Sequence, residues 1–117
     1  MIIPKLIELS TSDLEHGGLP QDPSLCRVAM VATIGPTLGE GGDNFSFEVI
    51  TPRALVETDA DCWGRGLLIL GTFSWPAVER AVGRLLSHAA RQSWEQVAQE
   101  LNKTLHWEFD NYQPRKG

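Results

Sequence analysis

The chain reads as an α+β domain: a four- to five-stranded, mainly antiparallel sheet with two long helices packed on one face. Three observations predict it. Apolar and polar residues alternate in the segments before Ser74, apolar residues recur at three- and four-residue steps after it, and no linker separates the two halves. Elements segregated in this way place the helices together on one side of an antiparallel sheet.

Residues 2–9 are the first strand, and Pro4 confines it to a sheet edge or a strand start. Residues 12–23, rich in Gly, Pro, Asp and Ser, form a loop. Over 25–34, Cys26, Val28, Met30, Ala32 and Ile34 share one face of a second strand, with Arg27 and Thr33 on the other; Gly35-Pro36 stops it. A Gly-rich loop over 37–42 leads into a third strand over 44–51. There Phe45, Phe47 and Val49 point one way, and Asn44, Ser46 and Glu48 the other. The two strands form an antiparallel hairpin.

Thr51 caps a short helix over 52–57, with Pro52 at its first position. Residues 66–73 are a fourth strand, apolar on both faces and therefore central. Ser74 caps a helix over 75–90, whose stripe is Trp75, Val78, Val82, Leu85, Leu86 and Ala89. Ser93 and Gln96 form a capping box for a helix over 94–105, with Trp94, Val97, Ala98, Leu101 and Leu105 inward. Residues 106–112 are a final strand or extended segment laid on the core through Trp107 and Phe109.

With 117 residues, 42% hydrophobic and 21% charged, the chain can build one core without disulfide or metal staples. One domain is expected over 1–112, with 113–117 as a flexible tail. The run 67–70 is the longest strongly apolar one, far below the ~20 residues a bilayer needs, and the N-terminus lacks the pattern of a signal peptide. Cys26 and Cys62 make no disulfide framework, and Cys26 reads as a buried, reduced thiol. The expected location is cytoplasmic. A net charge of −5 argues against nucleic acid as partner, since that needs a concentrated cationic surface. Oligomeric state is not set by any of these features.

No cofactor motif stands out. The stretch Gly35-Pro36-Thr37-Leu38-Gly39-Glu40-Gly41-Gly42 lacks the Gly-Lys-Ser/Thr ending of a phosphate loop, and a strand rather than a helix follows it. Neither cysteine has metal-ligand spacing, and no serine sits in a nucleophile elbow. His106, Glu108 and Asp110 would share one face of a strand, and a histidine with two carboxylates can serve as acid and base or hold a metal. The same alternation is what any half-buried strand shows, so a small hydrolase or nuclease is the alternative reading.

Two charged features remain. Arg80, Arg84, His88 and Arg91 form a stripe along the first long helix, with Arg91 near its C-terminus, where a cation is favourable. Glu40 and Asp43 in the hairpin loop, and Glu57, Asp59 and Asp61 after the short helix, concentrate carboxylates in loops. Such loops fit a docking surface for a basic protein.

The chain also resembles a known family, the bacterial immunity proteins of polymorphic toxin systems grouped as Immunity protein 8. The resemblance is carried by Ile34-Gly35-Pro36, Gly42-Asp43-Asn44-Phe45-Ser46-Phe47, Thr51-Pro52 with Leu55, and Arg65-Gly66-Leu67-Leu68-Ile69. Ser93-Trp94-Glu95-Gln96-Val97-Ala98 and Trp107-Glu108-Phe109 complete it. It implies a protein that binds and neutralises a cognate secreted or contact-delivered toxin, with no catalytic residue, cofactor or metal. Glu40, Asp43, Glu57, Asp59 and Asp61 are then the expected toxin-binding residues, with Arg80, Arg84 and Arg91 as the alternative surface. An adaptor with no toxin partner is a further alternative. Trp94, Trp107 and Phe109 are expected in the core.

Overall fold

The computed structural model describes residues 1–15, 17–58 and 64–110. Along them run β1 (Pro4–Ser10), β2 (Arg27–Pro36), β3 (Asp43–Ile50), α1 (Pro52–Glu57), β4 (Leu67–Ile69), α2 (Trp75–Leu86), α3 (Trp94–Leu101) and β5 (His106–Trp107). The sheet runs β1-β2-β3-β4, and β5 joins β3 beside β4. All pairings are antiparallel except β3 with β4, because the chain crosses over through α1 before it returns to the sheet.

The alternation read from the sequence is what builds the core. Val28, Met30, Ala32 and Ile34 from β2 and Phe45, Phe47 and Val49 from β3 are buried on one sheet face. Against them pack Val78, Val82 and Leu86 of α2 and Val97, Ala98 and Leu101 of α3. Arg27, Ala29, Asn44 and Ser46 on the opposite face are exposed. The helices therefore cover one side only.

Each helix start is capped as its sequence requires. The hydroxyls of Thr51, Ser74 and Ser93 accept from the backbone N–H of Ala54, Ala77 and Gln96, meeting donors with no intrahelical partner. Thr51 is fully buried and also accepts from Cys26 N–H at 3.1 Å, joining α1 to the start of β2. Where β1 leaves β2 after Ser10, side chains finish the ladder. Thr11 Oγ1 donates to the Ala29 carbonyl, and Asp13 Oδ2 accepts from Ala29 N–H.

Several boundaries differ from the sequence reading. Gly35-Pro36 does not stop β2, because β1 pairs with it as far as Pro4↔Pro36, beyond the end of β3 pairing at Ile34↔Asp43. The fourth strand is three residues long and lies at an edge, not in the centre. Its apolar run serves the core instead: Leu68 and Leu70 pack against it, and buried Phe73 donates its N–H to Pro23 as the chain turns towards α2. The long helices stop early, at Leu86 and Leu101, and tighter turns carry Ala89 and Leu105 into the core. The apolar stripes thus extend further than the helices. Phe109 is not a core residue: it is 43% exposed and stacks edge-on against Trp107. The 113–117 tail, His16 and Cys62 lie outside the described residues.

Candidate functional site

The start of β3, the start of α3 and the end of β5 meet at one carboxylate. Asp43, the first residue of β3, accepts the indole N–H of Trp94 at 2.9 Å and that of Trp107 at 3.0 Å on the same oxygen, Oδ2. Both tryptophans are half-buried at the rim of the core rather than inside it. Each ring shields apolar surface while its polar edge finds a partner, the arrangement an indole favours at a boundary. Of the acidic residues expected to face a partner, Asp43 thus also has a structural task.

Glu40 is exposed in the loop between β2 and β3, and Glu57 is exposed at the last turn of α1. They lie at opposite ends of β3, whose eight residues span about 25 Å. These carboxylates do not form one set: Glu40 and Asp43 lie at the start of β3, and Glu57 lies beyond its end, on α1. Asp59 and Asp61 lie outside the described residues.

The arginine stripe also divides. Arg80 and Arg84 are exposed on α2. Arg91 falls beyond the end of α2, donates to the carbonyls of His88 and Ala90, and lies 3.3 Å from Glu100 of α3. It ties the two helices together instead of continuing the stripe. Arg65 has a similar role that the sequence did not reveal. Its guanidinium donates to the backbone carbonyls of Asn102 and Leu105 and to Asn102 Oδ1, and it lies 3.6 Å from Asp110. A cation at this point also meets the negative end of α3.

His106, Glu108 and Asp110 do not form the shared strand face expected of them. The strand ends at Trp107, Asp110 N–H closes a turn onto the Trp107 carbonyl at 3.0 Å, and the Asp110 carboxylate faces Arg65. His106 instead lies over Gly66, on the sheet face that no helix covers. Gly66 has φ +77°, and a Cβ there would sit 2.4 Å from His106 Nε2. The pair forms one wall of an open trough of about 650 Å³, whose floor includes Ala29, Val31 and Ser46. Among the described residues, no three His, Cys, Asp or Glu side chains come together as a metal site would require.

Hydrogen bonds, nearby charges and burial shift a few groups. The Arg27 guanidinium holds Glu48 below the usual carboxylate range through a two-pronged pair across β2 and β3. Hydrogen bonding by Lys103, with Arg91 adding to it, lowers Glu100. Ser24 does the same for Asp22 through its side chain and backbone. Cys26 is a free thiol, half-buried rather than fully enclosed, and desolvation followed by the Asp22 charge pushes it up. A thiol raised in this way is a poor nucleophile at neutral pH. No helix among the described residues is long and apolar enough to cross a membrane.

Among the described residues, Glu40, Glu57, Arg80 and Arg84 leave their charges exposed on loops and helix surfaces. No curated protein and no solved structure matches the chain. The family model described as Immunity protein 8 matches residues 5–112. That span takes in every strand and helix except the first residue of β1, and the chain belongs to this family of immunity proteins from polymorphic toxin systems.

Proposed function

We propose that this chain binds and neutralises a cognate bacterial toxin, secreted or delivered by contact, by covering its active surface in the cytoplasm of the producing cell. Membership of the Immunity protein 8 family is the observation that carries this reading. Immunity protein families are typically non-enzymatic binders, and this chain acts as a binder and not an enzyme.

The acidic balance of the chain supports the manner of binding. With a net charge of −5, it is suited to a toxin with a cationic surface, such as a nuclease that must hold phosphates. Glu40 and Asp43 at one end, and Glu57 with Asp59 and Asp61 in the sequence after it, supply a field that speeds encounter. The exposed Arg80 and Arg84 are the competing contact surface, with Arg91 already engaged by Glu100.

Co-purification with the toxin domain encoded by the adjacent gene tests the function. Association rates at several salt concentrations then test the surface. The triple change Glu57→Gln, Asp59→Asn, Asp61→Asn is expected to slow association about tenfold at low salt, on the scale of electrostatic steering. Slowing by Arg80→Ala with Arg84→Ala alone would move the interface to the helix stripe. Absence of any complex would overturn the reading.

A further inference from the structure

The hairpin end carries apolar surface that the fold itself does not use. Leu38 is 90% exposed, the highest value among the large hydrophobic side chains of the described residues. Turns ordinarily take Gly, Asn, Asp or Ser at such positions, and an exposed leucine there adds nothing to the core. Ile3 and Ile7, 58% and 49% exposed, flank the base of the same loop. Thr37 donates both its N–H and its hydroxyl to the Ile3 carbonyl at 2.8 and 2.7 Å. The Ile7 side chain lies over the backbone of Gly35 and Gly42, its Cδ1 2.9 and 3.0 Å from where a Cβ on each would stand.

The loop is also braced. A Cβ on Gly35 would lie 2.2 Å from the Gly41 carbonyl oxygen, so the two sides of the loop close on each other at the base. Gly39 and Gly41 take φ of +127° and +81°, conformations that L side chains rarely adopt. The Ile3 segment that accepts from Thr37 is itself paired: Ile2 exchanges backbone hydrogen bonds with Arg91 between α2 and α3. Leu38 is thus presented on a tip whose backbone is held from both sides, which lowers the ordering cost of binding.

We infer that this end of the hairpin is the anchoring part of the toxin interface: Leu38 enters a concave apolar site on the toxin domain, Ile3 and Ile7 widen the contact, and Glu40 meets cations at the rim of that site. The inference rests on the toxin-binding function proposed above. A side chain 90% exposed at a loop tip is buried most fully by a surface that curves around it. A second copy of this chain is the other apolar occupant, but it would bring one net charge of −5 against another, with Glu40 on both sides. A cationic partner fits that charge.

The experiment uses the full chain and the toxin domain encoded by the adjacent gene, with binding followed by surface-immobilised kinetics and self-association by sedimentation. The variants are Leu38→Asp, Ile7→Asp and Glu40→Gln, with unchanged thermal midpoints checked first; Leu38→Ala replaces Leu38→Asp if the charge alters folding. Leu38→Asp is expected to weaken binding at least 100-fold, mainly through faster dissociation. Glu40→Gln is expected to slow association a few-fold and to flatten its salt dependence. Wild-type binding with unchanged dissociation in both aspartate variants would overturn the inference and leave the toxin-binding function standing. Self-association of the wild type that Leu38→Asp abolishes, with toxin binding intact, would assign the patch to a second copy and overturn it as well. Failure of the wild type itself to bind would overturn the function on which it rests.

Discussion

Asp43 accepts the indole N–H of Trp94 at 2.9 Å, a bond that ties the first residue of β3 to the first turn of α3. Trp107 donates to the same oxygen, so one carboxylate gathers three parts of the chain. Asp43→Ala would strip the acceptor from both indoles and is expected to destabilise the fold by about 2 kcal/mol, the scale of losing bonds to a charged group at a half-buried site. Asp43→Asn, which keeps an acceptor oxygen, should cost about half as much. Urea midpoints of the two variants check this; equal, negligible shifts would show that solvent replaces the carboxylate.

Trp94→Ala is expected to cost about 3 kcal/mol, the low end for truncating a large aromatic, because the ring is half-buried and packs at the edge of the core. Trp94→Phe should cost about 1 kcal/mol, chiefly for the lost indole donor. In the Asp43→Ala background the phenylalanine change should cost less than in the wild type. A double-mutant cycle with no coupling would separate the two residues energetically.

Gly66→Ala combines a left-handed backbone with a collision against the His106 ring. The backbone part alone is about 1–2 kcal/mol. Repeating the change in a His106→Ala background isolates that part, so the penalty should be smaller there. Denaturation of the four proteins of the cycle measures it, and identical penalties in both backgrounds would mean that the ring simply moves aside.

The Arg27–Glu48 pair makes a small pH-dependent contribution. Pairing lowers the folded-state pKa of Glu48, so its stabilisation is present above the ordinary carboxylate pKa and is lost as pH falls through the folded value. Both side chains are more than a third exposed, which limits the effect to about 0.5 kcal/mol. The stability difference between wild type and Glu48→Gln should be present at pH 7 and shrink towards pH 3. A difference that grows on acidification would contradict the sign.

His106→Ala combined with Glu108→Ala is expected to leave protection against the toxin intact in a co-expression assay. Lost protection with retained folding and toxin binding would revive a hydrolase or nuclease centred on these residues.

Much of the fold was legible because burial imposes a period. The faces of β2 and β3, the three caps and the two helical stripes all follow from which positions must leave water. The ends of elements were less legible. Ala89 and Leu105 keep the helical spacing after the helix has ended, since a tight turn can deliver a side chain to the core as well as a helix does. The run around Leu68 looked central because it is apolar, yet its place at the sheet edge depends on the α1 crossover and the packing of Leu70 and Phe73. For the candidate binding surface, the exposed character of Glu40, Glu57, Arg80 and Arg84 was readable from their place in loops or on a polar helix face.

The amino-acid sequence by itself determined the class of fold, the acidic balance and the family, because these depend on residue type, spacing and order along the chain. Tertiary structure alone decided the partners. It set Asp43 beneath two indoles, sent Arg65 and Arg91 to clasp α3, and separated Glu40 from Glu57 by the length of β3. It also left Leu38 projecting from a braced tip beside Ile3 and Ile7. The reason is that charge and hydrogen bonding act over a few ångströms in space. Residues distant along the chain acquire a shared role only when the sheet register and the packing of the helices bring them within that reach.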